Sequence, residues 1–214
     1  LKTDKPGKTA DGAPAKSALR ENVEAVLIAV VIALFIRTFV VQAFKIPSGS
    51  MKNTLLIGDH ILVSKFIYGI KLPYLQKNLI PFKSPQHNDI IVFKYPEDPH
   101  KDFIKRVIGV PGDVVEYRNK QLFINNQLVE NEVAIHTDPH IFQGGSKPRD
   151  NFGPIKVPEN KLFVMGDNRD ESYDSRFWGF VDMKAVSGKA FMIYWSWNKE
   201  AFGVRWKRLG EILH

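Results

Sequence analysis

The sequence predicts a mainly β fold: an antiparallel β-sheet domain with a small inserted subdomain, preceded by one N-terminal transmembrane helix. Three observations predict it. One apolar run near the N-terminus is long enough for a helix and uncharged at its centre. Beyond residue 44 the apolar residues come in short runs bounded by turn residues, with no sustained helical period. Residues 130–158 break that rhythm with His136, Pro139, His140, Gly144-Gly145, Pro148, Gly153 and Pro154.

Residues 1–20 read as a basic, disordered tail: Lys2, Lys5, Lys8, Lys16 and Arg20 stand against Asp4 and Asp11, among Pro, Gly, Ala and Ser. Residues 21–44 read as a membrane anchor. Ala25 to Ile36 holds no polar residue, while Arg37, Thr38 and Gln42 interrupt the second half. As one helix, Val23 to Phe44 would span roughly 33 Å, enough to cross a bilayer. Two other readings compete with a retained anchor. The run could be the h-region of a cleavable signal peptide, with Val41-Gln42-Ala43 as a small-x-small cleavage site, or a buried core helix. With the basic tail on the cytoplasmic side, a single span places residues 45–214 on the outer side.

That third segment carries the β pattern. Ile61-Leu62-Val63, Ile90 to Phe93, Val114-Val115, Leu122 to Ile124, Leu162 to Met165 and Phe191 to Tyr194 are apolar and rich in β-branched or aromatic residues. Gly58-Asp59, Pro111-Gly112-Asp113, Asn125-Asn126 and Gly166-Asp167-Asn168 supply turn chemistry between them. Leu122 to Val129 around Asn125-Asn126 predicts a tight hairpin. The long polar stretch extends this into an accessory excursion over about 118–160, either a surface loop or a small subdomain.

Composition narrows the chemistry. The chain has 214 residues, 44% of them hydrophobic, which leaves one medium domain after the tail and anchor. Without cysteine it has no disulfide, no thiol nucleophile and no thiolate metal site. The net charge of +7 suits anionic membrane surfaces. Nucleic acid is not expected as a partner, because the basic residues are spread along the chain and five belong to the tail.

Three segments carry candidate chemistry. In Pro47-Ser48-Gly49-Ser50-Met51, Gly49 permits a sharp bend that presents a serine hydroxyl, although such a turn after an apolar helix is commonly only a linker. In Phe103 to Asp113, a strand ends in Pro-Gly-Asp. Lys105 and Arg106 are neighbours on it and point to opposite faces, so one of them must face inward if one side of the sheet is covered. Arginine keeps its proton, whereas a buried lysine can be neutral near pH 7. Met165 to Gly179 packs Asp167, Asn168, Arg169, Asp170, Glu171, Ser172, Asp174 and Arg176 into one loop. A cation site is one reading of these oxygens, but the spacing does not fit an EF-hand. A polar network that holds something in place is the better one.

Taken in order, the three segments resemble the bacterial type I signal peptidases (leader peptidases). The resemblance runs from about Phe44 to His214 through Ile46-Pro47-Ser48-Gly49-Ser50-Met51, Leu56-Ile57-Gly58-Asp59, Ile104 to Asp113, Gly166 to Asp170, Ser172, Asp174-Ser175-Arg176 and Trp178-Gly179. It implies that Ser50 is the nucleophile and Lys105 its general base. Ser48 and the Ser50 N–H then form the oxyanion hole, Ser172 orients the lysine, and Asp174 and Arg176 are a supporting ion pair. Two departures stand out: Lys52-Asn53 replaces a proline common after the Met, and the segment between Asp113 and Lys161 is shorter than in the longest members.

The implied reaction is acyl transfer that removes signal peptides from exported preproteins. Its substrates would carry small residues before the cut, and it would need neither cofactor nor metal. Phe44, Ile46, Pro47, Met51, Leu55, Phe103 and Ile104 are the expected substrate-binding residues. Tyr194, Trp195, Trp197, Phe202 and Trp206 read equally as a lipid-touching surface or as core. The implied location is the bacterial cytoplasmic membrane, single-pass. The competing function is a non-catalytic anchored β-domain that binds peptides or lipid. A self-cleaving repressor, the other Ser/Lys enzyme, would need a DNA-binding module where this chain offers a tail and an anchor.

Overall fold

The computed structural model describes residues 18–69, 83–143 and 148–214. The expected disordered tail lies outside the described residues, apart from its last three, which open a helix. Two compact units divide the chain, residues 1–38 and 39–214.

Helix α1 (Ala18–Phe35) starts with charged turns, in which Arg20 and Glu24 pair at 3.0 Å. Its second half is apolar on every side: Val26, Leu27, Ile28, Val30, Val31, Ile32, Leu34 and Phe35 are all exposed. Among the described residues no helix is long and apolar enough to cross a membrane. After α1 the backbone widens into a five-residue π turn, Ile36–Val40, and then becomes strand β1 (Val41–Lys45).

The expected single helix through Phe44 is therefore corrected. Val40-Val41 is a β-branched pair with little helical preference, and the five residues from Val41 on find partners in β2 (Asp59–Ser64), from Val41 opposite Ser64 to Lys45 opposite His60.

The second unit is built on antiparallel strands. They are β3 (Ile90–Tyr95), β4 (Asp98–Gly109), β5 (Val114–Arg118), β6 (Gln121–Ile124), β7 (Gln127–Leu128), β8 (Phe152–Lys156), β9 (Lys161–Met165), β10 (Val181–Asp182), β11 (Val186–Asn198) and β12 (Gly203–Val204). The larger sheet runs β1-β2-β11-β3-β4-β9-β10, with β12 also paired to β11. The smaller one runs β7-β6-β5-β8, and its strands β6, β7 and β8 come from the accessory excursion. Each of the six expected strand runs lies inside an observed strand. The expected hairpin is present too: Asn125 and Asn126 both take positive φ, as a two-residue primed turn requires.

Burial shows where the layers meet. β2 alternates buried and half-buried positions, as a strand covered mainly on one face does. β3 is buried along nearly its whole length, and β4 is fully buried from Lys105 to Gly109. One apolar cluster, with Ile46, Met51, Leu55, Ile61, Val63, Val92 and Ile193, receives Ile104 and Phe44. Another, with Ile91, Phe93, Val107, Leu162 and Val164, receives Phe103 and Trp178. A third joins the smaller sheet to Ile108, Phe163 and Met165. β3 and β9 pair with the two edges of β4, and the apolar clusters cover both of its faces from Lys105 to Gly109.

Candidate active site

The serine turn is held at both ends. Before it, the Ile46 N–H donates to the Asp59 carbonyl at 2.8 Å and the Gly58 N–H donates to the Ile46 carbonyl at 3.1 Å. After it, the Leu55 N–H donates to the Met51 carbonyl at 2.7 Å, and the Met51 and Leu55 side chains are fully buried. These two plugs fix the residue just before them. Ser50 is 9% exposed, and among the described residues its N–H donates to no acceptor. Ser48 is exposed.

Lys105 arrives from β4, where it stands opposite Ile91. It is 4% exposed, and its Nζ donates to Ser50 Oγ at 2.6 Å. The Phe103 ring, two residues earlier and on the same face, lies 5.7 Å from Nζ. Burial pushes the Lys105 amine down from an ordinary 10.5 to about 8. The carboxylates of Asp174 and Asp167 pull the other way, and Arg176 adds to the fall. An amine in that range is neutral often enough to accept a proton from the hydroxyl it touches.

Sequence reasoning left one of Lys105 and Arg106 facing inward. Both are buried, because both faces of β4 are covered here. Arg106 Nε and Nη2 each donate to Asp167 at 2.9 Å, its Nη1 donates to the Asn88 and His214 carbonyls, and Thr54 Oγ1 donates to Asp167 at 2.6 Å. The ion pair fastens β4 to the loop after β9, and its link to Thr54 reaches the serine turn.

That loop closes the site. The Asn168 N–H donates to the Ser50 carbonyl at 3.1 Å, and Asn168 Nδ2 donates to the Gly49 carbonyl at 3.3 Å. Ser172 is buried beside Asp174, and its hydroxyl helps to keep that carboxylate charged. Asp174 caps helix α2 (Ser175–Trp178) and accepts from Arg176 Nε and Nη2 at 2.9 Å and from the Gly166 N–H at 3.1 Å. Burial raises the Asp174 carboxyl, but the Arg176 charge and hydrogen bonds outweigh it, and the group lies below the usual carboxylate range. Arg176 is itself buried and also donates to the Arg149 and Arg169 carbonyls.

The structure thus gathers Ser50, Lys105, Ser172, Asp174 and Arg176, which are scattered over the sequence. Of the expected substrate-binding residues, Ile46, Met51 and Leu55 are buried in one cluster, with Phe44 and Ile104 packed on it. Pro47 is exposed, and Phe103 belongs to the other cluster. Among the late aromatics, Phe202 and Trp206 are strongly exposed, and Trp197 stacks edge-on against Phe202 at 5.4 Å. Among the described residues no group of acidic or histidine side chains is placed to hold a metal ion. Sequence reasoning missed Thr54, the Arg106–Asp167 pair and the grip of Asn168 on the serine turn. Only the polar density of the third segment signalled them.

The sequence is similar to known proteins along most of its length. A family described as signal peptidase, peptidase S26, matches residues 19–195. Signal peptidase I of Pseudomonas fluorescens is 41% identical over 196 residues, covering 78% of this chain and 69% of the relative. Signal peptidase I of Aquifex aeolicus is 34% identical over 229 residues, covering 83% and 85%. A crystal structure of a signal peptidase I from Enterococcus faecalis is 34% identical, covers 50% of this chain and 97% of that one, and has a TM-score of 0.41. With the family matched along most of its length, the chain belongs to the signal peptidases, peptidase family S26.

Proposed function

We propose that this signal peptidase removes signal peptides with Ser50 as nucleophile and Lys105 as general base. The family's activity is that of a serine endopeptidase. The observation that carries the residue assignment is the 2.6 Å contact between Lys105 Nζ and Ser50 Oγ in a buried site that favours the neutral amine. Lys105 takes the hydroxyl proton as Ser50 attacks the scissile carbonyl, and later helps a water to attack the acyl-enzyme. The Ser50 N–H, which has no acceptor among the described residues, and the exposed Ser48 hydroxyl serve the oxyanion. Each such donor stabilises the transition state by roughly 3–4 kcal/mol. Ser172 orients the amine from its buried place beside Asp174, and the Asp174–Arg176 pair supports that loop.

Substrates enter extended, with small residues before the cut seated near Phe44, Ile46, Pro47 and Ile104. The apolar part of α1 tethers the enzyme to the bilayer. The apolar side chains exposed all round the second half of α1 support this, as does the basic composition of residues 1–20. The catalytic unit, residues 39–214, then works on the outer side of the cytoplasmic membrane. Phe202 and Trp206 offer it a second contact with lipid.

Purified Ser50→Ala and Lys105→Ala proteins should each lose preprotein cleavage while keeping a cooperative melting transition. A Lys105→Ala protein that cleaves near the wild-type rate would refute the dyad.

A further inference from the structure

The accessory excursion touches the catalytic loop at a point that bears on the nucleophile. Ile135 lies alongside Asn168 in an isolated parallel bridge. Its N–H donates to the Asp167 carbonyl at 2.8 Å, and its carbonyl accepts the Arg169 N–H at 2.9 Å. Both neighbours of Asn168 are therefore gripped by one residue, and Asn168 in turn holds the Gly49 and Ser50 carbonyls.

A second tie comes from the other end of the turn. Asn53, three residues after the nucleophile, donates from Nδ2 to the Val133 carbonyl at 3.3 Å. Residues 131–136 are themselves shaped and held: Asn131 accepts from the Val133 and Ala134 N–H groups, and His136 Nε2 bonds the Tyr117 hydroxyl at 2.7 Å. Following the bonds gives a closed ring, from the serine turn through Asn168, Ile135 and Val133 to Asn53 and back to the turn.

We propose that residues 131–136 form a positioning strap for the nucleophile turn, with Asn53 as the side chain that closes it. The proposal rests on the Ser50/Lys105 reading above. Chemistry at Ser50 needs its hydroxyl held against the Lys105 amine, and small displacements of a nucleophile cost rate rather than binding. The Ile46–Asp59 bonds hold the turn before the nucleophile, and the strap holds it through Asn168 and Asn53. Asn53 has φ +87, in the left-handed region that asparagine, aspartate and glycine tolerate best. In that conformation the exposed amide reaches the Val133 carbonyl.

Two variants separate the amide from the backbone. Asn53→Gly keeps the backbone relaxed and deletes the donor. Asn53→Asp tolerates the same φ but offers the Val133 carbonyl no donor at neutral pH. Steady-state cleavage of a preprotein by the purified full chain, well below Tm, should show kcat reduced about three- to tenfold in both, the range of one lost hydrogen bond. KM should stay within about twofold. The acid limb of the pH–rate profile should move to higher pH, because a looser turn lets water reach the Lys105 amine. Neither change is expected of a residue that only stabilises the fold.

A serine-acylating probe identifies which idea fails. Labelling of wild type but not of Ser50→Ala, together with unchanged kcat and pH profile in both Asn53 variants, would overturn the strap alone. Absence of labelling in active wild type would overturn the Ser50 reading and the strap with it.

Discussion

A methyl group added to Gly166 would stand 2.3 Å from the Ser50 carbonyl oxygen and 2.3 Å from Ser172 Oγ. The loop after β9 and the serine turn are in backbone contact, and only a residue without Cβ permits it. The same carbonyl accepts the Asn168 N–H, so the contact is bonded as well as close. Backbone on one side of the added carbon cannot move without shifting the nucleophile.

Gly166→Ala is therefore expected to lower kcat/KM by about a hundredfold or more, since a displacement near 1 Å at a reacting centre has that effect. Stability should fall by about 1–3 kcal/mol from overpacking. Parallel urea denaturation and cleavage assays check both. A fully active Gly166→Ala protein would show that the two loops separate freely.

The state of Lys105 sets the pH dependence. Its amine has a pKa of about 8, lowered chiefly by burial, and only the neutral form accepts the Ser50 proton. Activity should rise with pH through about 8 and fall about tenfold per unit well below it. Replacing Asp174 with Asn removes a carboxylate that raises this pKa, so the acid limb should move to lower pH in whatever active fraction remains. A rate–pH profile of kcat/KM for both proteins tests the sign.

How much of this was legible in the sequence differs from residue to residue. Strands β2, β3, β9 and β11 of the larger sheet were legible because turn residues interrupt short apolar runs, and Asn125-Asn126 named its own turn. The end of the first helix was not: Val40-Val41 looks apolar in either conformation, and only pairing with β2 decides it. The face of Arg106 was not legible either, because strand alternation tells which residues share a side and says nothing about whether the other side is covered. Ser50 and Lys105 needed their surrounding motifs, since neither a serine in a turn nor a lysine on a strand is distinctive. The partner of Asn168 lies more than a hundred residues earlier in the chain, a closure that no local pattern encodes.

The pair of Arg106 and Asp167 makes a prediction about energetics. Their side chains are 3% and 0% exposed, and the contact is two-pronged. Breaking one side leaves a charge in the interior, so Arg106→Met or Asp167→Leu alone should destabilise by about 3–5 kcal/mol. The double variant should lose less than either single one, because neither charge is then stranded. Chemical denaturation of all four proteins gives the coupling directly. Additive losses would mean that the two side chains act independently.

Lys105 itself should cost the fold stability for the sake of chemistry. Burial lowers its pKa from 10.5 to about 8, so the unfolded chain holds the proton more tightly than the folded one. Below about pH 8 both states are protonated and the full burial penalty applies. Between 8 and 10.5 the folded amine is neutral while the unfolded one is still charged, and the penalty shrinks as pH rises. Above 10.5 both are neutral and it vanishes. Lys105→Met keeps the length and apolar stem but removes the charge. It should abolish cleavage yet raise stability at pH 7 by about 1–3 kcal/mol. The gain should be largest below pH 8 and should decline toward pH 10.5, as urea melts at several pH values would reveal. A Lys105→Met protein no more stable than wild type at pH 7 would mean that the Asp174 and Asp167 carboxylates already offset the burial of the amine.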